Sequence, residues 1–373
     1  MDTRSIRHDL TAYSISELEN TGRIRLNGRT VPQHQPYYLF WTGSGLELNV
    51  NSCTLELELE VSYEKSEPWV TVEIDGTLFS RQMLQHGHQM FGCFCNMGDG
   101  NAHRVRFALD SQAAEGTYLC VVSVYTDGEL LPMPKPLLRL EFVGDSITSG
   151  EGLALSDSFK NWATGIHSSA RAYHRILAQE RDADIHVLSR GGYGVYSAWN
   201  NDLHGAMPRY YNAVCGFMTD PVGCALGANA PYDFASWQPD AVVIVLGAND
   251  YGACRQVAWI DEDGTAHQQR LLEDGTLEPE SQKRLQCAAV QFLQNVRAKN
   301  PSARIIWACG VCDAPLAPVI REAVENYVRI SGDTDTFYRS LSPMTDFVAH
   351  HHPGIETHRR MANEISAILN ELL

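Results

Sequence analysis

A serine stands directly after a largely apolar run, residues 137–143, in the segment Gly144-Asp145-Ser146-Ile147-Thr148. A hydroxyl at the end of a buried strand can attack an acyl carbon once a base takes its proton. Two more apolar runs end in comparable signatures: residues 185–188 lead into Ser189-Arg190-Gly191-Gly192-Tyr193-Gly194, and residues 241–246 into Gly247-Ala248-Asn249-Asp250. Open α/β sheets carry their sites at the carboxyl ends of the strands, so the three segments can meet in one crevice. The base is best sought at His352, just before Pro353 and a helical C-terminal segment. Its neighbours His350 and His351 suggest a metal cluster, but adjacent residues seldom face one centre, and no Asp, Glu or Cys partner accompanies them.

Acyl transfer also needs donors aimed at the developing oxyanion, each worth a few kcal/mol. Asn249 offers a side-chain amide, Gly194 a backbone N–H from a tight turn, and Ser146 its own N–H. Glycine lets the backbone approach a substrate closely, although the three glycines could equally serve only to turn the chain. Asp145 and Asp250 lie beside turns and are read as loop pins, bonding side chain to backbone. Trp199, Trp237 and Trp259, with Trp162, are candidates for stacking on a substrate ring or for packing in the core.

Two kinds of sequence surround these residues. Before residue 131 the chain reads as short, often alternating strands at 37–41, 46–50, 54–63, 69–74, 103–109 and 118–125, broken by turns at Asp75-Gly76, Asp99-Gly100-Asn101 and Asp127-Gly128. Residues 54–61 set leucines on one face and glutamates on the other. This spacing predicts an N-terminal antiparallel β-sandwich over residues 1–131. Pro132, Pro134 and Pro136 make 132–136 a stiff linker. Over 137–373 strands alternate with helical patterns at 171–181, 281–299, 317–330 and 356–373, the signature of a parallel sheet between helices. Longer insertions at 196–237 and 251–280 leave from the strand ends that carry the signatures, where they can wall the site.

With 373 residues, two domains are expected. A formal net charge of −16 disfavours nucleic acid or an anionic membrane as partner. The start, Met1-Asp2-Thr3-Arg4-Ser5-Ile6, lacks the apolar core of a signal peptide, and no stretch approaches the ~20 apolar residues of a membrane span, so a cytoplasmic protein is expected. The ten cysteines are scattered and are read as thiols; Cys309-Gly310-Val311-Cys312 has no second CxxC to complete a zinc site.

Gly144-Asp145-Ser146, the turn from Ser189 to Gly194, Gly247-x-Asn249-Asp250 and His352-Pro353 resemble, in order, the four signature blocks of the SGNH (GDSL) hydrolases. The resemblance covers residues 137–373 and implies a three-layer α/β/α, flavodoxin-like hydrolase domain. Ser146 would be the nucleophile and His352 the base, with an oxyanion hole formed by Ser146, Gly194 and Asn249. Residues 38–45 followed by a sheet domain, and residues 141–150, are similar to carbohydrate esterase family 2, whose members join a jelly-roll domain to the hydrolase domain and deacetylate plant polysaccharides such as xylan and mannan. Most SGNH enzymes have Asp three residues before the histidine, where this chain has Ala349. The imidazole must then be oriented by a backbone carbonyl or by Asp346.

The expectation is a serine acetyl esterase acting on acetylated manno- or xylo-oligosaccharides, with neither cofactor nor metal. A general short-chain esterase or thioesterase, and a non-catalytic carbohydrate-binding protein, are the rival readings.

Overall fold

The leucine and glutamate alternation does what a two-residue period demands. In the computed structural model, which describes residues 10–31, 35–97 and 100–373, Leu55, Leu57, Leu59 and Val61 are buried and the glutamates between them lie at or near the surface. The start of the chain, residues 1–9, and Asp99 of one expected turn lie outside the described residues.

That strand, Leu55–Tyr63, belongs to an antiparallel sheet in the order Thr11–Ser14, Thr117–Thr126, Leu55–Tyr63, Gly87–Phe94, with Tyr37–Tyr38 also paired to Thr117–Thr126. A second antiparallel sheet runs Glu129–Leu131, Gly45–Asn51, His103–Leu109, Trp69–Ile74, Thr77–Met83, with Ile24–Asn27 on Gly45–Asn51. The inward residues of both, among them Leu48, Val72, Phe107, Leu57 and Val121, form one core, so this unit is a β-sandwich. Expected strand 37–41 shrinks to two residues because Trp41 turns inward, its indole N–H donating to Val214 O at 2.6 Å and its ring meeting Phe217 edge-on. Residues Ala213–Tyr232 accordingly belong to this first unit, which otherwise ends at Lys135; the sequence reading had kept them in the second domain.

The second unit, Pro136–Asn212 with Asp233–Leu373, holds a parallel sheet. Its strands are β1 (Leu138–Gly144), β2 (Ala183–Ser189), β3 (Ala241–Val245), β4 (Arg304–Cys309) and β5 (Thr336–Ser340), in the order β2-β1-β3-β4-β5. β3 inside the sheet and β2 at its edge are both buried throughout, as strands covered on both faces are. One face packs Phe142, Val187, Val243 and Ile306 against helices α2 (Tyr173–Arg181) and α6 (Ile355–Leu372). On the other lies α4 (Pro279–Lys299), whose Phe292 meets Trp307 of β4 edge-on at 6.3 Å, with α5 (Ala317–Ser331) beside it. Two short helices, α1 (Ser146–Ser149) and α3 (Ala248–Ala253), begin just beyond β1 and β3.

The order 2-1-3-4-5 reverses direction at β1, leaving a crevice at the carboxyl ends of β1, β2 and β3. Gly144 closes β1 there. A Cβ on it would run into Thr148 Oγ1, itself bonded to Tyr173 Oη at 2.9 Å, and would lie 3.1 Å from Val245 O. Gly144→Ala should therefore lower stability by roughly 1–3 kcal/mol, read as a lower denaturant midpoint. Gly252→Ala in α3, where a Cβ meets only Trp199 Cβ at 3.8 Å, should be neutral or stabilising in the same experiment.

Candidate active site

Asp145 caps α1 by accepting Ile147 N–H at 3.0 Å, which sets Ser146 at the first helical position with its N–H lacking an intrahelical partner. Ser146 Oγ–H donates to His352 Nε2 at 2.9 Å, and His352 Nδ1–H donates to the main-chain carbonyl of His350 at 3.2 Å. The second bond selects the tautomer in which Nε2 is free to accept a proton.

The base is held by an unusual loop. Phe347 bridges Pro353, and Val348 N–H donates to His352 O at 2.9 Å, so residues 347–353 close on themselves. His350 and His351 at the tip both have left-handed backbone, φ 58° and 59°, a conformation that costs of order 1–3 kcal/mol per non-glycine residue. This reversal turns the His350 carbonyl back onto His352. His351 points elsewhere, stacked on Phe347 at 4.1 Å.

Asp346, one of the two candidates for orienting the imidazole, does not reach it. Its carboxylate accepts Glu356 N–H at 3.0 Å, Thr357 N–H at 2.9 Å and the Thr357 hydroxyl, capping α6. The formal cap residue of that helix is Gly354, which has no side chain, and a Cβ there would collide with the Asp346 carboxylate. Burial would raise the Asp346 pKa, but the Thr357 hydroxyl and the helix N–H groups outweigh it and hold the carboxyl below its usual range.

Asn249 joins the signature segments, its Nδ2 donating to Tyr193 O at 2.9 Å and making a longer bond, 3.3 Å, to Asp145 Oδ2. The structure departs from expectation at Gly194. Its N–H donates to Gly205 O at 2.9 Å, leaving it no hydrogen for an oxyanion. The missing side chain of Gly194 serves Asp250 instead, whose carboxylate fills that space and accepts Val195 N–H at 2.7 Å and Tyr196 N–H at 2.8 Å. Two residues earlier, Gly192 has φ 81° and, among the described residues, no acceptor for its N–H. That separation of roles depends on pairing with residue 205, which glycine spacing cannot reveal.

Buried carboxylates surround the nucleophile. Burial pushes Asp145 up to about 8, opposed by the Ile147 N–H and reinforced by the charges of Asp313, Asp250 and Glu151. Burial likewise raises Asp250 to about 6 against its backbone donors. Both pin loops, as their positions beside turns suggested.

The tryptophans separate. Trp199 is half exposed and rests on Gly192, with its main-chain N–H donating to Gly192 O at 2.9 Å. Trp162, also exposed, makes an edge-to-face contact with His167. Trp237 is no part of the crevice: it stacks on His186 at 3.6 Å and donates to Asp184 Oδ2 at 2.7 Å, near the amino end of β2. Trp259 sits in a small hairpin, Trp259–Ile260 with Ala266–His267, between the rings of His204 and His267. Cys309 and Cys312 do not pair; Cys309 Sγ–H donates to Asp313 Oδ2 at 3.0 Å, and Cys312 lies against Met344.

The sequence reading passed over Glu151, whose carboxylate lies 3.0 Å from His350 Nδ1 and 3.7 Å from His352 Nε2. An acidic residue between glycines, in a segment otherwise made of small and apolar residues, was its visible signal.

The model of the GDSL-like lipase/acylhydrolase family matches residues 142–341. An acetyl xylan esterase from the rumen bacterium Butyrivibrio proteoclasticus has a similar structure, at TM-score 0.94 and 34% identity, over 97% of this chain and 98% of that one. A family two carbohydrate esterase from Clostridium thermocellum, solved with cellohexaose, shares the fold at TM-score 0.77 and 19% identity over 93% and 98% of the two chains. By sequence, an acetylxylan esterase/glucomannan deacetylase of Cellvibrio japonicus is 23% identical over 97% of this chain and 96% of its own.

If Asp346 only caps α6, Asp346→Ala should lower stability at neutral pH by about 0.5–2 kcal/mol. The deficit should close as acid protonates the wild-type carboxylate, since a depressed pKa stabilises the fold only while the group is ionised. Activity should fall far less than the ~10⁴-fold seen when a triad aspartate is replaced. Denaturant midpoints across pH and ester hydrolysis rates check both statements.

Proposed function

The chain belongs to the GDSL-like lipase/acylhydrolase family and is a carboxylic ester hydrolase of SGNH type, and from that premise we propose that it removes O-acetyl groups from acetylated manno- or xylo-oligosaccharides through a Ser146–His352 dyad. The observation that carries the chemistry is the 2.9 Å hydrogen bond from Ser146 Oγ to His352 Nε2 at the carboxyl end of β1. The substrate class follows the relatives, which are named for removing acetyl groups from xylan and glucomannan. The exposed rings of Trp162 and Trp199 offer flat apolar faces of the kind that pack against a sugar ring.

In this reading His352 Nε2 takes the Ser146 proton as Oγ attacks the acetyl carbon. Negative charge then gathers on the carbonyl oxygen, where the Ser146 N–H, the Gly192 N–H and the Asn249 amide can donate to it. Gly192 replaces Gly194 in this role because its N–H is uncommitted. Of the two Asn249 bonds, the longer one to Asp145 is the one a substrate oxygen would displace. As the intermediate collapses, His352 gives its proton to the departing sugar oxygen, which leaves as a hydroxyl and leaves an acetyl ester on Ser146. Water, deprotonated by the same imidazole, hydrolyses that ester and restores the serine.

The test is acetate release from acetylated xylo- and manno-oligosaccharides, with 4-nitrophenyl acetate as reference ester, by the wild type and Ser146→Ala. The wild type should release acetate from the oligosaccharides, and the variant should lose roughly 10⁴-fold or more in kcat. Hydrolysis of the reference ester alone would make this a general short-chain esterase, and inertness toward both would favour a binding protein. On 4-nitrophenyl esters the rate should drop roughly tenfold or more from acetyl to butyryl. It should also fall once acid protonates the imidazole, which can then no longer accept the serine proton.

A further inference from the structure

We propose that Glu151 is a positioning residue that stands in for the aspartate absent at position 349, anchoring the His350 whose carbonyl orients His352 and setting a negative charge beside the His352 ring. The inference rests on Ser146 and His352 being nucleophile and base, and not on the sugar.

Glu151 is tied to the nucleophile through the backbone. Gly150 is left-handed, φ 72°, and ends α1, so the chain doubles back and Glu151 N–H donates to Ser146 O at 3.0 Å. The carboxylate then meets three histidines: Oε1 accepts from His350 Nδ1 at 3.0 Å, while Oε2 lies 3.7 Å from His352 Nε2 and 3.9 Å from His167 Nε2. No Lys or Arg pairs with it among the described residues. Burial alone would raise its pKa, but the charges of His352 and His167 and the His350 bond outweigh burial and lower it, so Glu151 is ionised at neutral pH.

Two consequences follow. His350 Nε2 lies 3.0 Å from Asn161 O, so both of its ring nitrogens have partners. The contacts with Glu151 and Asn161 together hold His350 at the left-handed tip of its loop. In addition, the Nδ1–H of His352 rests on a neutral carbonyl, which gives a forming imidazolium less than a carboxylate would. Glu151 supplies the missing negative charge from the Nε2 edge. Among the described residues, the other titratable groups facing His352 are His350 on its own loop and, from α6, His358; burial lowers His358 to about 3, which leaves it neutral throughout a working pH range.

The experiment measures the rate at which a fluorophosphonate labels Ser146 in the full chain, across pH, for the wild type, Glu151→Gln and Glu151→Asp. The probe needs an activated serine but no acetylated sugar, so failure of the substrate assignment would leave the result intact. Glu151→Gln should label roughly 10–100-fold more slowly at neutral pH. The acid limb of its profile should lie about one pH unit lower, because removing a negative charge destabilises the imidazolium. Asp at 151 should recover part of both. Wild-type labelling by Glu151→Gln would overturn the proposal, as would slower labelling with an unmoved acid limb and no recovery by Asp, the mark of a packing role. His350→Ala, which keeps the main-chain carbonyl and Glu151, is an independent probe of the anchor: slower labelling with the acid limb in place supports it, and the wild-type rate contradicts it.

Discussion

The hydrogen bond between Ser146 and His352 joins residues 206 positions apart in sequence, and the hydrolase unit is arranged around keeping that contact. Neither partner could hold it alone. Ser146 is placed by a rigid strand end and a one-turn helix, whereas His352 sits in a loop that must be braced from both sides. The brace on one side is α6, docked through Met361, Ile365 and Leu369 on the sheet face that also carries β1. On the other it is the Phe347–Pro353 bridge and the reversed backbone at His350 and His351. Left-handed backbone at two consecutive non-glycine residues persists only where surrounding contacts over-determine it. Here those contacts come from Asp346 and α6 at the base of the loop and from Glu151 and Asn161 at its tip.

Acidic residues near the nucleophile divide into two kinds by what their oxygens meet. Asp145, Asp250 and Asp313 accept backbone N–H groups of Ile147, Val195 and Gly310, and burial raises the pKa of each. They hold loops in register, the ordinary solution for backbone donors that water cannot reach. Glu151 instead faces ionisable rings and stays charged although little exposed. Its environment, more than its residue type, sets it apart from its neighbours.

Much of this was legible in the chain because local pattern and global fold agree. Period-two leucines marked a sandwich strand, apolar runs marked β1 to β3, and a serine, an asparagine and a histidine stood next to elements whose ends converge. The helices begin and end within about two residues of the expected bounds, since their apolar spacing reflects burial directly. Thr77–Met83 and Gly87–Phe94 went unread: both lie at sheet edges, and the many partly or fully exposed residues along them erase the alternation. Choices that depend on tertiary partners were also invisible. Which backbone carbonyl orients His352, and that Asp346 instead serves α6, depends on the folded loop; Gly194 and Gly192 differ in whether Gly205 lies opposite; Trp237 belongs to β2 because His186 and Asp184 await it there.

The central claim is that Ser146 carries the acyl group between attack and hydrolysis. It is tested most directly by quenching the enzyme in acid during turnover of an acetylated xylo-oligosaccharide and mapping the acetyl adduct by peptide mass spectrometry. The account predicts one added acetyl group on the peptide containing Ser146, located on that serine. Acetate release with Ser146 unmodified, or with the acetyl group on another residue, would contradict it.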